Sequence, residues 1–405
     1  MSARADSLGD TSNPTPAENT ALFILDDAGV VFSETTQDIY AFNTAATYIW
    51  CQVEEALPRD EIAAAYAETF SCAADEARAH VEQALSSWRE LGLLAGSAKT
   101  QTAEEEPPPP RFDPSTLPAH FDPDVVAERH YRVARSLIRV RFTSAEQESC
   151  VHPMLAHLET EERSDDQTVI DVISIGEEMA LYRDREAVMD CPHIGLLAHK
   201  VKGMVWQTAV LQEDYLFDFH AGVVGTADRC RIFPAAAGSG KSTLTAALCH
   251  AGLRYLSDEI ALLDGETFRA RPMPLSLCVK NTPWELMTPL FPQLADLPSH
   301  ERMDGKVVKY LPPPQGTEPV AREGLPATAV IFPKYDPEAK TELIPLAKNE
   351  ALRRLLAECV VISTALDLTQ VEALVNWIKR ADTFDLPTSS LPESVDLILD
   401  YCRRT

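Results

Sequence analysis

Gly238-Ser239-Gly240-Lys241-Ser242-Thr243 carries the densest chemistry in this sequence. A strand is predicted before it, over Arg231–Pro234, and a helix after it, from Leu244 to Leu253. Strand, glycine-rich turn and helix in that order make a phosphate-binding loop. Glycines let successive backbone N–H groups curl around phosphate oxygens, and the helix N-terminus adds its positive dipole end. Ala237, Gly238, Ser239, Gly240, Lys241, Ser242 and Thr243 are the expected nucleotide contacts. Among them Lys241 reaches the β- and γ-phosphates and Ser242 ligates Mg²⁺. Ala235 stands where the full pattern asks for a first glycine. The alternative is a capped loop without a ligand.

Asp258 and Glu259 follow a short predicted strand, Arg254–Ser257, seventeen residues after Lys241. A carboxylate at a strand end beside a phosphate loop is placed to hold Mg²⁺ or to activate an attacking group. The same pair would also suit an exposed acidic turn. His220 lies twenty-one residues before Lys241, on a strand leading toward the same place. Taken alone it fits a satisfied core histidine as well as a site residue.

The elements that must position these groups fall into two regions. Residues 98–118 contain Glu104-Glu105-Glu106 followed by Pro107 to Pro110, then Pro114 and Pro118. Charge repulsion and polyproline stiffness predict an extended tether there. Before it, residues 1–19 read as a polar, disordered lead-in, and residues 20–97 as a small module. That module shows strands at Ala21–Leu25, Val30–Glu34 and Asp38–Phe42, then helices over Thr44–Val53, Arg59–Phe70 and Ala74–Leu91. After the tether, residues 119–405 begin with strand candidates Ser136–Phe142, Thr168–Ile173 and Met179–Tyr182. A helix over Gly195–Leu211 precedes the phosphate loop. Strand Ala327–Phe332 and helices Lys348–Glu358 and Pro392–Tyr401 follow it. The expected fold class is α/β: a winged-helix-like α+β module, then a phosphate-loop domain with a β-rich leading segment.

Composition narrows the partners. The chain has 405 residues, 45% of them apolar, and a net charge of −26. It has no excess of Lys or Arg to displace counterions, which argues against nucleic acid and against anionic membranes as partners. No apolar run reaches 18 residues, so no membrane span is predicted. Nine scattered cysteines without C-x-x-C pairs suit a reducing cytoplasm, and no His or Cys spacing suggests a dedicated metal cage.

The larger region resembles the HPr kinase/phosphorylase family, and more closely its relatives found beside natural-product gene sets. The matching stretches are His220-Ala-Gly-Val223, Ala236 to Leu244, and Tyr255-Leu-Ser-Asp-Glu-Ile-Ala-Leu-Leu263. Pro274 to Asn281, Gly305 to Pro312 and Val330 to Tyr335 match more weakly. The resemblance implies a kinase that uses ATP and Mg²⁺. It implies Asp258, His220 and Lys241 as catalytic residues, with Asp258 the general base. Ser242 and one or both of Asp258 and Glu259 would hold the metal. Lys280, Lys306 and Lys309 would be charge stabilisers, although each also suits a solvated surface. Glu259 stands where the family commonly has a second Asp. The glycine-rich loop that binds the family's carrier protein is not found, so the resemblance does not extend to that substrate.

The small module resembles PqqD-like elements, which bind leader sequences of ribosomally made peptides. Ile39-Tyr-Ala-Phe-Asn-Thr-Ala-Ala46, Tyr48-Ile-Trp50 and Trp88-Arg-Glu-Leu-Gly-Leu-Leu94 carry the likeness. It implies strand addition of an extended peptide, lined by Ile39, Tyr40, Ala41 and Phe42 on the third strand and by Val81 and Leu85 on the last helix. Tyr40, Phe42 and Trp88 equally suit a core. Ala21 to Gly96 holds three Arg and no Lys against thirteen acids, so a bound leader should be basic. The reading expected from both halves is an ATP-dependent kinase acting on a Ser or Thr hydroxyl of a precursor peptide. Enzymes that eliminate or cyclise the product would be downstream partners. The alternatives are a nucleotide-gated peptide chaperone, and a kinase of a carboxylate or a small hydroxylated metabolite.

Overall fold

Alternation of side chains sets the strands. In Ser136–Phe142 every second residue is buried, so Ile138, Val140 and Phe142 enter the core while Arg139 and Arg141 point away. The structure is a computed structural model that describes residues 13–98, 117–119, 122–236, 238–314 and 320–405. The expected disordered lead-in falls mostly, and the expected tether almost wholly, outside these residues. The chain divides into two compact units. One comprises Met1–Glu105, Ala347–Arg354 and Thr364–Arg380, and the other Glu106–Leu346, Leu355–Ser363 and Ala381–Thr405. Among the described residues, no helix is long and apolar enough to cross a membrane.

In the smaller unit, β1 (Thr20–Leu25), β2 (Ala28–Ser33) and β3 (Asp38–Phe42) form an antiparallel meander in that order. Helices α1 (Thr44–Glu54), α2 (Arg59–Phe70) and α3 (Ala74–Glu90) follow. The stripe of α3 buries Ala77, Val81, Leu85 and Trp88. Trp88 stacks on Phe42 with ring centres 5.0 Å apart, and Trp50 meets both rings edge-on. Every residue of β2 is buried, because the late helix Leu368–Arg380 also packs against β1 and β2. Its start is fixed by the turn before β3. Glu34 Oε1 accepts from the Leu368 N–H at 3.0 Å, and Gln37 exchanges two hydrogen bonds with the Leu366 backbone. The sequence reading did not anticipate this helix, which belongs to the small unit although it lies near the other end of the chain. Trp88→Ala removes the centre of the aromatic cluster. It should cost about 3–5 kcal/mol, measurable as an earlier melting transition of this unit.

The larger unit opens with a five-stranded sheet in the order β4-β5-β6-β7-β8. Its strands are β4 (Ala127–Val133), β5 (Ser136–Phe142), β6 (Thr168–Ile175), β7 (Glu178–Arg183) and β8 (Glu186–Cys191). Helices α4 (Ala145–Leu155) and α5 (Ile194–Val210) share its core. Next come β9 (Phe217–Phe219), β10 (Ala221–Gly225), β11 (Cys230–Pro234), α6 (Lys241–His250), β12 (Arg254–Ser257), β13 (Ala261–Leu263) and β14 (Arg269–Arg271). A three-stranded sheet of β15 (Leu277–Lys280), β16 (His300–Glu301) and β17 (Val307–Leu311) flanks a short helix α7 (Trp284–Met287). The chain ends with β18 (Leu325–Tyr335), β19 (Ile344–Pro345), α8 (Lys348–Ala357), β20 (Cys359–Ile362), α9 (the late helix above), β21 (Asp382–Thr388) and α10 (Leu391–Arg404). In the main sheet β11, β18 and β21 run parallel, and β10 pairs antiparallel with β11. Helix α6 packs on β10, β15 and α10. The α/β expectation with a β-rich leading half describes this architecture.

Candidate functional site

The loop between β11 and α6 turns through two left-handed glycines, Gly238 at φ +99° and Gly240 at φ +89°. Gly240 is also the N-cap of α6, so a side chain there would be strained. Beneath the first turn of α6 the β10 backbone comes close. A Cβ on Gly222 would stand 2.4 Å from Thr245 Oγ1. This close approach buries Lys241 and Thr245 against the sheet. Ala237 lies outside the described residues; Gly238, Ser239, Gly240, Ser242 and Thr243 line a cavity of about 820 Å³.

Asp258 follows β12 on a tight turn closed by the Ser257 hydroxyl, which donates to the Ile260 carbonyl. Asp258 is 3% exposed, and neither carboxylate oxygen has a hydrogen-bond partner among the described residues. The Ser242 hydroxyl is near enough to favour its charged form, but not in the geometry of a hydrogen bond. Lys241 Nζ is likewise buried without a partner. Burial pushes the Asp258 pKa up, and Lys241 only partly opposes this. Burial also lowers Lys241, against the pull of Asp258 and Glu259. The two groups are close enough to feel each other's charge without a hydrogen bond between them. Among the described residues no three His, Cys, Asp or Glu side chains cluster tightly enough to cage a metal.

Glu259 differs from its neighbour. Its carboxylate opens onto the cavity and accepts from Lys202 Nζ at 2.6 Å. Burial works against its charge, but Lys202, Lys241 and Arg302 outweigh that and hold its pKa down to about 2. His220 lines the cavity, with Nδ1 3.5 Å from Glu358 Oε2, and its backbone N–H donates to the Glu358 carbonyl at 2.8 Å. Burial and then the charge of Lys241 lower its pKa, with Glu358 opposing, which favours the neutral imidazole.

Lys280 and Lys306 line the cavity, and so does Arg302, which sequence reasoning missed. Lys309 is a correction. Its ammonium donates to the Leu294 and Ala295 carbonyls at 2.7 and 3.1 Å and lies over the Trp284 ring, away from the cavity. Asp258 itself does not line the cavity. Lys202 and Glu358 were also missed. The only signal for Lys202 was a lysine pair within a largely apolar helix, Lys200 and Lys202 of α5.

Asp218, two residues before His220, is buried with Oδ1 unpartnered, and burial raises its pKa to about 7. The folded value lies above the unfolded one, so the stability present below about pH 4 is lost as the pH rises to 7. Asp218→Asn should therefore raise stability by up to about 4 kcal/mol at pH 8 and change little at pH 4. Equal shifts in melting temperature at both pH values would contradict this.

In the smaller unit, β3 is an edge strand with no further strand partner among the described residues. Ile39, Tyr40 and Ala41 are half-buried along it. Phe42, Val81 and Leu85 are corrected: all three are core, at 6%, 1% and 0% exposure, and none lines an open groove.

Residues 28–94 match the family described as Coenzyme PQQ synthesis protein D (PqqD). This segment is PqqD-like. No curated protein matches the chain. A solved structure described as "TbiB1 in Complex with the TbiA(beta) Leader Peptide" is 20% identical over 21% of this chain and 98% of that one, with a TM-score of 0.20. At that TM-score the likeness says nothing about how this chain folds.

Proposed function

We propose that this chain is an ATP-dependent kinase that phosphorylates a Ser or Thr hydroxyl of a ribosomally made precursor peptide, whose leader is held by the PqqD-like segment. The observation that carries the nucleotide half is the juxtaposition at the glycine loop. Buried Lys241, at the start of α6, and buried Asp258, close enough to feel its charge, both lack hydrogen-bond partners among the described residues. The match over residues 28–94 and the edge position of β3, with no further strand partner among the described residues, support the peptide half.

ATP would supply the γ-phosphoryl group, and Mg²⁺ would neutralise charge between the phosphates. Lys241 and the loop amides would fix the phosphates, and Ser242 with Asp258 would hold the cation. The peptide hydroxyl oxygen forms the new P–O bond as the bond to the β,γ-bridging oxygen breaks. Asp258 accepts the hydroxyl proton. Its burial means the glycine loop must yield for a hydroxyl to reach it. Neutral His220 can donate or accept a hydrogen bond at the cavity wall, steadied by Glu358. Arg302, Lys280 and Lys306 line the cavity and would offset the negative charge on the phosphoryl oxygens.

Phosphoryl transfer to a peptide carrying its leader, lost when the leader is cut away, tests this reading. Free leader in excess should compete. Deleting the first hundred residues is a poorer test, because it also strips the partner of α9. Raising salt should weaken leader binding, since the segment 21–96 carries ten more acids than Arg. A leader affinity equal at low and high salt would remove the charge argument.

The second reading, a nucleotide-gated chaperone, is favoured by one observation: Asp258 does not line the cavity. It predicts leader and ATP binding with no transfer.

A further inference from the structure

We infer that Lys202 divides the labour of the acidic pair: it engages Glu259 as an ion pair and leaves buried Asp258 as the one carboxylate of the pair without a partner among the described residues, and so the one free to take a divalent cation once the glycine loop yields. The inference rests on the nucleotide reading of this site. It concerns a residue outside the loop, from the helix that closes the β-rich leading half.

Three contacts hold the lysine. Its stem is buried in α5. Its ammonium donates to Glu259 Oε2 at 2.6 Å and lies 5.2 Å from the centre of the Tyr310 ring. Tyr310 comes from β17, so two separate elements fix one charge. An ion pair combined with a ring contact leaves Lys202 little freedom.

The neighbouring carboxylates are therefore not equivalent. A cation approaching Glu259 meets an ammonium already seated on it and must displace it. A cation approaching Asp258 finds both oxygens unpartnered. Affinity for Mg²⁺ or Mn²⁺ rises with the number of free carboxylates. With one such group and the Ser242 hydroxyl, the protein alone should bind a divalent cation weakly. The cation would then enter with the nucleotide, sharing its phosphate oxygens. Lys202 acts through Glu259 and is a positioning residue.

The test is Mn²⁺ binding to the full-length, nucleotide-free protein, followed by electron paramagnetic resonance. Wild type should bind weakly. Lys202→Met should tighten binding by about tenfold or more, because Glu259 becomes a second free carboxylate. Lys202→Arg should keep the wild-type value, and Lys202→Met combined with Glu259→Gln should return to it. An unchanged Mn²⁺ affinity in folded Lys202→Met, or a tight site that persists in the double variant, would overturn the inference. Should Lys202→Met fail to fold, Glu259→Gln decides. With ATP bound, it should leave Mn²⁺ affinity within about twofold of wild type while Asp258→Asn lowers it about tenfold. A fall in Glu259→Gln equal to that in Asp258→Asn overturns the inference. Absence of ATP binding in wild type would instead defeat the nucleotide reading, whatever Mn²⁺ does alone.

Discussion

Asp258→Asn should lower phosphoryl transfer by about a thousandfold while the protein stays folded. The substitution keeps the shape of the side chain and removes its capacity to take a proton. Stability cannot be the cause of the loss, because the sign runs the other way. Burial raises the Asp258 pKa in the folded protein. The stability it allows below its unfolded pKa is lost as the pH climbs through the folded one. An uncharged Asn does not undergo that loss, so the variant should melt no earlier than wild type at pH 8. Full transfer activity in Asp258→Asn would remove the base from this account. Retained leader and ATP binding, in a wild type that transfers nothing, would favour the chaperone reading.

Lys241→Met should lower transfer by about a hundred- to a thousandfold and weaken ATP binding with it. Here too the fold should survive. The Lys241 ammonium is buried without a hydrogen-bond partner, and burial lowers its pKa despite the attraction of Asp258 and Glu259. The folded state therefore disfavours the charge on balance, and an apolar chain of similar length relieves it. Nucleotide titration and thermal melting on the same sample separate the two effects. Wild-type ATP affinity in Lys241→Met would show that the glycine loop does not hold phosphates.

Part of this architecture was written locally in the sequence, and part was not. The loop 238–243 was legible as a turn between strand and helix because such a turn needs only a strand end, glycines and a helix start within a few residues. The acidic pair and His220 were legible as candidates, since each ends or follows a short strand. The stripe Ala77, Val81, Leu85, Trp88 was legible as a buried face. Its use was not, because periodicity says that a face is covered without saying by what. Val81 and Leu85 therefore entered as peptide contacts and belong to the core with Phe42.

What sequence order hides is long-range pairing. Lys202 meets Glu259 across fifty-seven positions, and Gln37 bonds Leu366 across 329. No local pattern encodes either. Lys309 misled for a different reason. The family resemblance suggested a charge stabiliser, yet two backbone carbonyls and the Trp284 ring capture this lysine elsewhere.

The most direct test of the central claim is the intact mass of a precursor peptide after incubation with the protein, ATP and Mg²⁺. Peptides encoded beside this protein are the substrates to try, each with and without its leader. The account predicts a gain of one phosphoryl group on a Ser or Thr, dependent on the leader and absent with Asp258→Asn. A peptide that binds through its leader and leaves with its mass unchanged would contradict it.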